Sequence, residues 1–171
     1  YLAKPFSLLE LLEVIHLVIK RKNPKKHDSY KIISYKDIKR IFPKDKVVGK
    51  RFDFCGTLGD PIVNPELLEM SKYLLDNGGM CSIHTNAGIN SIDWWKKAGE
   101  LSKKFGENYK FIFSIDGHEQ TNHIYRVNTN FKVISRNMQA YVDAGGSGSW
   151  QYLLFDHNLH EVDIAEKHAK S

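Results

Sequence analysis

Phe52-Asp-Phe-Cys-Gly-Thr-Leu-Gly-Asp-Pro-Ile-Val-Asn-Pro65 is a strand-like segment that runs through a glycine-punctuated loop into a predicted helix. Gly56 and Gly59 lack Cβ atoms, so backbone amides in this loop can approach a ligand closely. Asp60 and Pro61 follow, which places a carboxylate at the carboxyl end of the strand, where α/β folds put their binding sites. An ordinary βα turn, in which the Asp60 side chain accepts hydrogen bonds from local amides, explains the same residues.

Strand-like and helix-like segments alternate from this loop to the end of the chain. Predicted strands lie near residues 52–55, 80–84, 109–115 and 150–155, and predicted helices lie at about 35–42, 65–77, 92–105, 131–144 and 160–170. Each β/α unit has roughly 25–35 residues, which favours parallel strands joined by right-handed crossovers. The pattern predicts an α/β fold whose parallel strands are adjacent in sequence order.

Polar side chains or glycines follow every predicted strand at its carboxyl end. The carboxyl ends of parallel strands meet at one rim of a barrel or open sheet, so these endings predict a small-molecule site there. The residues concerned are Gly59 and Asp60, Thr85 and Asn86, Ser114 and Asp116, and Asp156 and Asn158.

Four motifs in this order resemble the radical S-adenosylmethionine (radical SAM) enzymes. They are Cys55-Gly-Thr-Leu-Gly-Asp-Pro61, His84-Thr-Asn-Ala-Gly88, Phe113-Ser-Ile-Asp-Gly117 with His123 and Arg126 downstream, and the segment from Trp150 to Asn158. The similarity covers roughly residues 30–171. It is greatest to the peptide- and cofactor-modifying branch that carries a C-terminal auxiliary-cluster region of the SPASM or twitch type. The resemblance implies a partial (β/α)6 TIM-like barrel over residues 29–171, truncated at both ends, behind an atypical segment at 1–28.

The resemblance also implies where SAM would bind. In the family, a glycine-rich loop binds the methionine amino group of SAM, and later strand ends hold its ribose and carboxylate. Arg126 suits the SAM carboxylate, because a guanidinium can bind a carboxylate through two hydrogen bonds; a solvated loop charge is the alternative. The matching residues are Gly56, Gly59, Asp60 and Pro61 for the loop, Ser114 and Asp116 for the fourth-strand contacts, and Asn86 and Arg126.

The chain departs from the family at its metal site. Family members hold a [4Fe–4S] cluster with cysteines spaced C-x3-C-x2-C, whereas Cys55 and Cys81 are the only cysteines of this sequence. Thiolates are the usual protein ligands of such clusters, and the isolated His16 and His27 do not replace them. We therefore expect both cysteines to be small buried residues, and we expect this chain to ligate no cluster.

A leucine-rich segment occupies the place of the family's cysteine loop. Residues 8–19 are mostly apolar and a basic run follows at 20–27. The segment is too short and too charged to span a membrane, and it lacks a signal-peptide cleavage site. A core helix or a mispaired first strand is the favoured interpretation, and a membrane-surface helix is the alternative. A frame error or a real loss would each explain the missing loop.

Composition sets broader bounds on the class of protein. The chain has 171 residues, a net charge of +5 and 42% hydrophobic residues, which suits one domain with a real core. Two cysteines provide no disulfide framework, which predicts a reducing, cytoplasmic setting. Its lysine-rich stretches are typical of solvated surfaces, and we expect neither a nucleic-acid partner nor a membrane partner.

Two functions from different classes remain open. In the first, the chain is the SAM-binding portion of a radical SAM enzyme. The complete enzyme would release a 5′-deoxyadenosyl radical that abstracts hydrogen from a peptide or small-molecule substrate, although this chain is inactive without cluster cysteines. In the second, it is a non-catalytic α/β domain that binds a nucleotide-like ligand or a protein partner. A Rossmann-type site is weaker, because Gly56 and Gly59 lack the G-x-G-x-x-G spacing.

Overall fold

A computed structural model describes residues 32–56 and 59–170 of the chain. The chain divides after Ile33 into two compact units, and nearly all described residues belong to the second, Ser34–Ser171. The predictions made for residues 1–28, including His16 and His27, lie outside the described residues, as do Thr57 and Leu58.

Helices and strands alternate through the described residues. The elements are α1 (Tyr35–Ile41), β1 (Arg51–Phe54), α2 (Leu67–Asp76), β2 (Met80–Thr85), α3 (Ile92–Phe105), β3 (Tyr109–Ser114), α4 (Asn122–Tyr125), α5 (Phe131–Asp143), β4 (Gly148–Gln151) and α6 (Val162–Ala169). Short 3-10 turns at Lys44–Lys46, Pro61–Val63, Gly106–Asn108 and Leu159–Glu161 lie between them.

The four strands form one sheet in the order β1-β2-β3-β4, and every neighbouring pair is parallel. Phe52 lies beside Cys81, Ile83 beside Phe111, and Phe113 beside Trp150. The predicted α/β fold, with parallel strands adjacent in sequence order, is therefore confirmed.

One face of the sheet carries the apolar core. Alternate residues of β2 and β3 point to this face and are buried, and α3 and α5 pack over it. Trp95 from α3 and Tyr141 from α5 are fully buried, with ring centroids 5.7 Å and 4.8 Å from that of Phe111. Aromatic rings in such edge-on and tilted contacts add to the stabilisation that burial provides.

The other face of the sheet, which we call the open face, is mostly polar, although Met80 and Ile112 also lie on it. Its residues include Asp53, Ser82, His84 and Ser114, and each is half-buried or exposed. Parallel sheets are normally covered on both faces. Among the described residues, helices cover one face of this sheet, and the other face carries hydrogen-bonding side chains that are half-buried or exposed.

The last strand differs from its predicted range of 150–155. β4 begins at Gly148 and ends at Gln151. A Cβ atom at Gly148 would lie 2.5 Å from the Phe111 carbonyl oxygen, so glycine permits β4 to approach β3. Beyond Gln151, the N–H of Leu153 donates to Asp116 Oδ1 and the N–H of Phe155 donates to Asn158 Oδ1. Side-chain oxygens thus accept hydrogen bonds from backbone N–H groups that a longer strand would use for pairing.

The predicted helix at 65–77 begins later than expected, at Leu67. Pro61–Val63 forms a 3-10 turn, and Asn64 Oδ1 accepts a hydrogen bond from the N–H of Glu66. This local bond holds the backbone in a turn ahead of the helix.

We expect Gly99→Ala to destabilise the fold, although alanine is the better helix former by about 1 kcal/mol. A Cβ atom at Gly99 would lie 2.3 Å from the Tyr141 carbonyl oxygen, so α3 and α5 would have to separate. The expected loss in the free energy of unfolding is about 1–3 kcal/mol, measured by urea denaturation. The exposed Lys97→Ala in the same helix is the control and should change little. A stabilised Gly99→Ala protein would contradict the close helix packing.

Candidate functional site

Asp60 ties the loop after β1 to the end of β2. Its Oδ2 atom accepts hydrogen bonds from Thr85 Oγ1 and from the N–H of Asn86, both at 2.8 Å. Its Oδ1 atom accepts one from the N–H of Ile62 at 3.2 Å, which caps the following 3-10 turn. Both carboxylate oxygens therefore have partners within the chain.

Gly56 and Gly59, the described glycines of the same loop, approach each other closely at the surface. A Cβ atom at Gly56 would lie 2.2 Å from the Gly59 carbonyl oxygen. Gly59 has a φ of +148°, a conformation that favours glycine. Both residues are exposed, and Pro61 begins the 3-10 turn that leads towards α2. The loop thus presents backbone at the carboxyl end of β1.

At the other half of the rim, the completely buried carboxylate of Asp116 also ties separate segments of the chain together. Its Oδ2 atom accepts from Arg126 Nε at 2.6 Å, and its Oδ1 atom accepts from the N–H of Leu153 at 2.7 Å. The side chain of Arg126 keeps 27% of its surface exposed. The structure therefore gives Arg126 a carboxylate partner from its own chain.

Two asparagines extend this contact into a buried polar network. Asn122 Oδ1 accepts from the N–H of Asp116 at 3.0 Å. Asn158 Nδ2 donates to the carbonyl oxygens of Asp116 and Leu153 at 2.8 and 2.9 Å. Asn158 was predicted as a rim residue at the end of a strand. It instead lies in a turn beyond β4, where it joins the β3 and β4 loops.

Asn86 and Ser114 lie where their strands end. Asn86 Oδ1 accepts from the N–H of Gly88 at 2.8 Å, so this side chain shapes the loop after β2. Ser114 is the last residue of β3, half-buried on the open face beside Gln151 of β4. Within the described residues its hydroxyl makes no hydrogen bond.

The open face adds polar residues that the sequence analysis did not select. Ser82 Oγ donates a hydrogen bond to Asp53 Oδ1 across β1 and β2. His84 lies two positions along β2 on the same face, half-buried and without a hydrogen-bond partner among the described residues. The alternation of polar and apolar residues through Ser82, Ile83 and His84 is the sequence signal that could have found them.

The two cysteines differ in their surroundings. Cys81 is buried as predicted, and burial, aided by the charge of Asp53, raises the pKa of its thiol to about 12. The prediction that Cys55 is buried is wrong, because β1 ends at Phe54 and Cys55 enters the exposed loop. Cys81 lies beside Phe52, near the opposite end of β1 from Cys55.

Over the described ranges, no group of three or more His, Cys, Asp or Glu side chains could hold a metal ion.

A second buried carboxylate, Glu161, attaches the segment before α6 to the β3 loop. It accepts hydrogen bonds from the N–H of His118 at 3.0 Å and from Thr121 Oγ1. The His118 ring packs against Trp150 and His168, with centroids 5.9 and 5.2 Å away. Burial lowers the pKa of His118, His168 lowers it further, and the Glu161 carboxylate opposes both. His118 is therefore neutral at neutral pH.

No protein-family model matches the chain, and no curated protein matches it significantly. In residues 32–56 and 59–170, no helix is long and apolar enough to cross a membrane.

We expect Asp60→Ala to lower the free energy of unfolding by about 1–3 kcal/mol, because three donors lose their acceptor. Hydrogen exchange at the Asn86 amide should accelerate more than the global destabilisation explains. Asp45→Ala, which removes an exposed carboxylate near Lys46, is the matched control. Unchanged protection of Asn86 in Asp60→Ala would show that the rim does not depend on Asp60.

The depressed pKa of His118 predicts an acid-sensitive fold. The folded state binds a proton at His118 at a lower pH than the unfolded chain does. The contribution of neutral His118 to the free energy of unfolding is therefore present above pH 6.5 and is lost as the pH falls below it. Urea midpoints should therefore fall between about pH 7.5 and pH 5.5. The fall should be smaller in His118→Gln, whatever that variant's absolute stability. Equal pH dependence in both proteins would remove His118 as its source.

Proposed function

We propose that this chain is the SAM-binding portion of a radical SAM-type barrel, and that it binds SAM or a related adenosyl ligand at the carboxyl end of the open face. One observation carries the proposal: in the part of the chain that the structure describes, a parallel sheet in sequence order has one face covered by helices and the other lined mainly by polar side chains. In a (β/α) barrel the second face is the interior, and the strand ends line its mouth.

The residues of the rim divide into two roles in this proposal. Ser114 and the exposed backbone of Gly56 and Gly59 contact the ligand, because they lie at strand ends with polar groups available. Asp60 and Asp116 position the loops, since their oxygens accept hydrogen bonds from the chain. This assignment keeps the location implied by the resemblance and changes the tasks of the two carboxylates.

Arg126 and Asn86 combine the two roles, because each is held by the chain and also has groups available for a ligand. The Nε atom of Arg126 is held by Asp116, which fixes the guanidinium while its terminal amino groups remain for the carboxylate of a ligand. Asn86 shapes its loop through Gly88, and its side-chain amide nitrogen remains to donate. Both residues are half-buried at the rim, so a ligand could displace water from them.

The residues present do not fit a [4Fe–4S] cluster. Cys55 is exposed at the carboxyl end of β1, whereas the thiol of Cys81 is buried, protonated and beside the start of the strand. Thiolates are the ligands that such clusters need, and the sequence holds no third cysteine. We derive no radical step for this chain, and the activity that we propose for it is ligand binding.

Asp53, Ser82 and His84 are the substrate-facing residues in this proposal. The Asp53–Ser82 pair supplies a hydrogen-bonded carboxylate, and the imidazole of His84 adds ring nitrogens that can form hydrogen bonds. A peptide or a small polar molecule would find both donors and acceptors there. The polar character of the face favours such a substrate over a lipid.

The alternative is a non-catalytic domain that binds a nucleotide-like ligand or a protein. The missing cluster ligands favour this alternative, because a chain without them retains only recognition. The two proposals differ in ligand preference: the first requires the methionine part of SAM, and the second requires only the nucleoside.

Calorimetric titration with S-adenosylhomocysteine tests the proposal. We expect saturable binding with a Kd of about 1 mM, since no cluster iron assists it. Ser114→Leu should weaken binding roughly tenfold, which corresponds to about 1.4 kcal/mol. Ser135→Leu, at an exposed position of α5, is the matched control and should bind as the parent does.

Three outcomes are informative. Binding of S-adenosylhomocysteine that exceeds binding of adenosine supports the SAM site. Equal binding of adenosine, ATP and S-adenosylhomocysteine supports the nucleotide-binding alternative. No saturable heat with any of them contradicts both ligand proposals.

A further inference from the structure

We propose that a basic face, formed by α1, the 3-10 turn after it and the start of β1, binds the phosphate backbone of a single-stranded nucleic acid. Arg51 begins β1, at the end of that strand opposite the rim, so the inference is independent of the proposed SAM-type ligand. The face carries seven cationic side chains: Lys36, Lys39, Arg40, Lys44, Lys46, Lys50 and Arg51.

Positive charge is concentrated on this face. Residues 36–51 contain the seven cations and two carboxylates, which gives a net charge of +5. The other described residues contain eleven cations and fifteen carboxylates, which gives a net charge of −4. A charge separation of this kind attracts a polyanion to one side of the molecule.

The charge of the basic face is accessible and only partly balanced. All seven cations are exposed. Asp37 pairs with Arg40 at 3.4 Å and Asp45 with Lys46 at 3.7 Å, and surface pairs of this kind are weak. The sequence of residues 1–31 contains seven cations and three carboxylates, so it brings no excess of negative charge that could neutralise the face.

A groove between α1 and α2 gives the basic face a concave part. The groove encloses about 640 Å³, and Lys39, Lys44 and Lys72 are among its lining residues. The ring of Tyr35 also lines it, with its centroid 5.2 Å from Lys39 Nζ. Cations beside an aromatic ring in a groove are the combination that binds single strands without sequence preference.

Two carboxylates restrict where phosphates can lie in the groove. Glu69 and Asp76, both from α2, line it. Asp76 pairs with Lys72 and, at 3.6 Å, with Lys104, so the charge of Lys72 is already balanced. The phosphates therefore contact the α1 side, which holds Lys39 and Lys44.

The composition of the basic face favours a nucleic acid over other anionic partners. Five of the seven cations are lysines, which bind phosphates but are depleted in protein interfaces. A helix that binds a membrane surface turns apolar side chains towards the lipid, whereas Ile38 of α1 is buried and Ile41 is half-buried. From composition alone we expected no nucleic-acid partner; the gathering of exposed cations beside a groove is the reason to propose one.

Fluorescence anisotropy with labelled oligonucleotides of about 12 nucleotides tests the proposal on the full chain. We expect a Kd of about 10 μM at about 0.1 M salt, with a slope of about −3 for log K against log salt, as for roughly four phosphates. Single-stranded RNA and DNA of the same sequence are compared, and the tighter of the two identifies the natural class. No saturable binding, or binding without this salt dependence, would overturn the proposal.

Two triple variants with the same change in net charge test the location. Lys36→Gln/Lys39→Gln/Lys44→Gln should weaken oligonucleotide binding at least roughly tenfold and make the salt slope shallower. Lys96→Gln/Lys97→Gln/Lys167→Gln removes three exposed lysines outside the basic face and should bind within about twofold of the parent. Circular dichroism establishes that both variants are folded.

Three further results would overturn the proposal. Equal losses in the two folded variants would show that overall charge, and not this face, binds the oligonucleotide. Unchanged binding by the first variant would place the site elsewhere. Tighter binding of the parent to polyglutamate or to phosphatidylserine vesicles than to either oligonucleotide would assign the face to an acidic protein or a membrane.

Discussion

Two carboxylates, Asp60 and Asp116, hold the carboxyl edge of the sheet together. Asp60 joins the β1 loop to the end of β2, and Asp116 joins the β3 loop to the segment after β4. The loops after parallel strands carry backbone donors that need acceptors once they are buried. Because these two side chains supply them, the rim has a defined shape, and we propose that ligand contacts fall to neighbouring residues such as Ser114.

The two faces of the sheet serve different purposes. The face under α3 and α5 contains the aromatic rings of Trp95, Phe111 and Tyr141, whose burial stabilises the fold. The other face keeps Asp53 and His84 in partial contact with water. A polar face on a parallel sheet adds little to folding, which is a reason to assign it to recognition.

The architecture could be predicted from the sequence to a large extent, because turn residues and apolar periodicity are local signals. Ser34 illustrates this: it is a typical cap residue directly ahead of α1, and it forms a capping box with Asp37. The role of Asp116 could not be predicted, since its partners Arg126 and Leu153 are distant in sequence. The predicted bounds of β4 were wrong for a related reason. The side chains of Asp116 and Asn158 accept hydrogen bonds from backbone N–H groups that a longer strand would use for pairing. The exposure of Cys55 was predicted wrongly because it depends on where β1 ends. β1 ends at Phe54, so Cys55 lies in the exposed loop.

We propose that the mostly polar face of the sheet, at its carboxyl end, is the ligand site. The most direct measurement is a map of backbone amide chemical-shift changes on titration with S-adenosylhomocysteine. We predict that the largest changes fall on Gly56, Gly59, His84 and Ser114, while amides of α3 and α5 stay unchanged. Changes concentrated on α3 and α5, or spread evenly over the chain, would contradict a ligand site on this face.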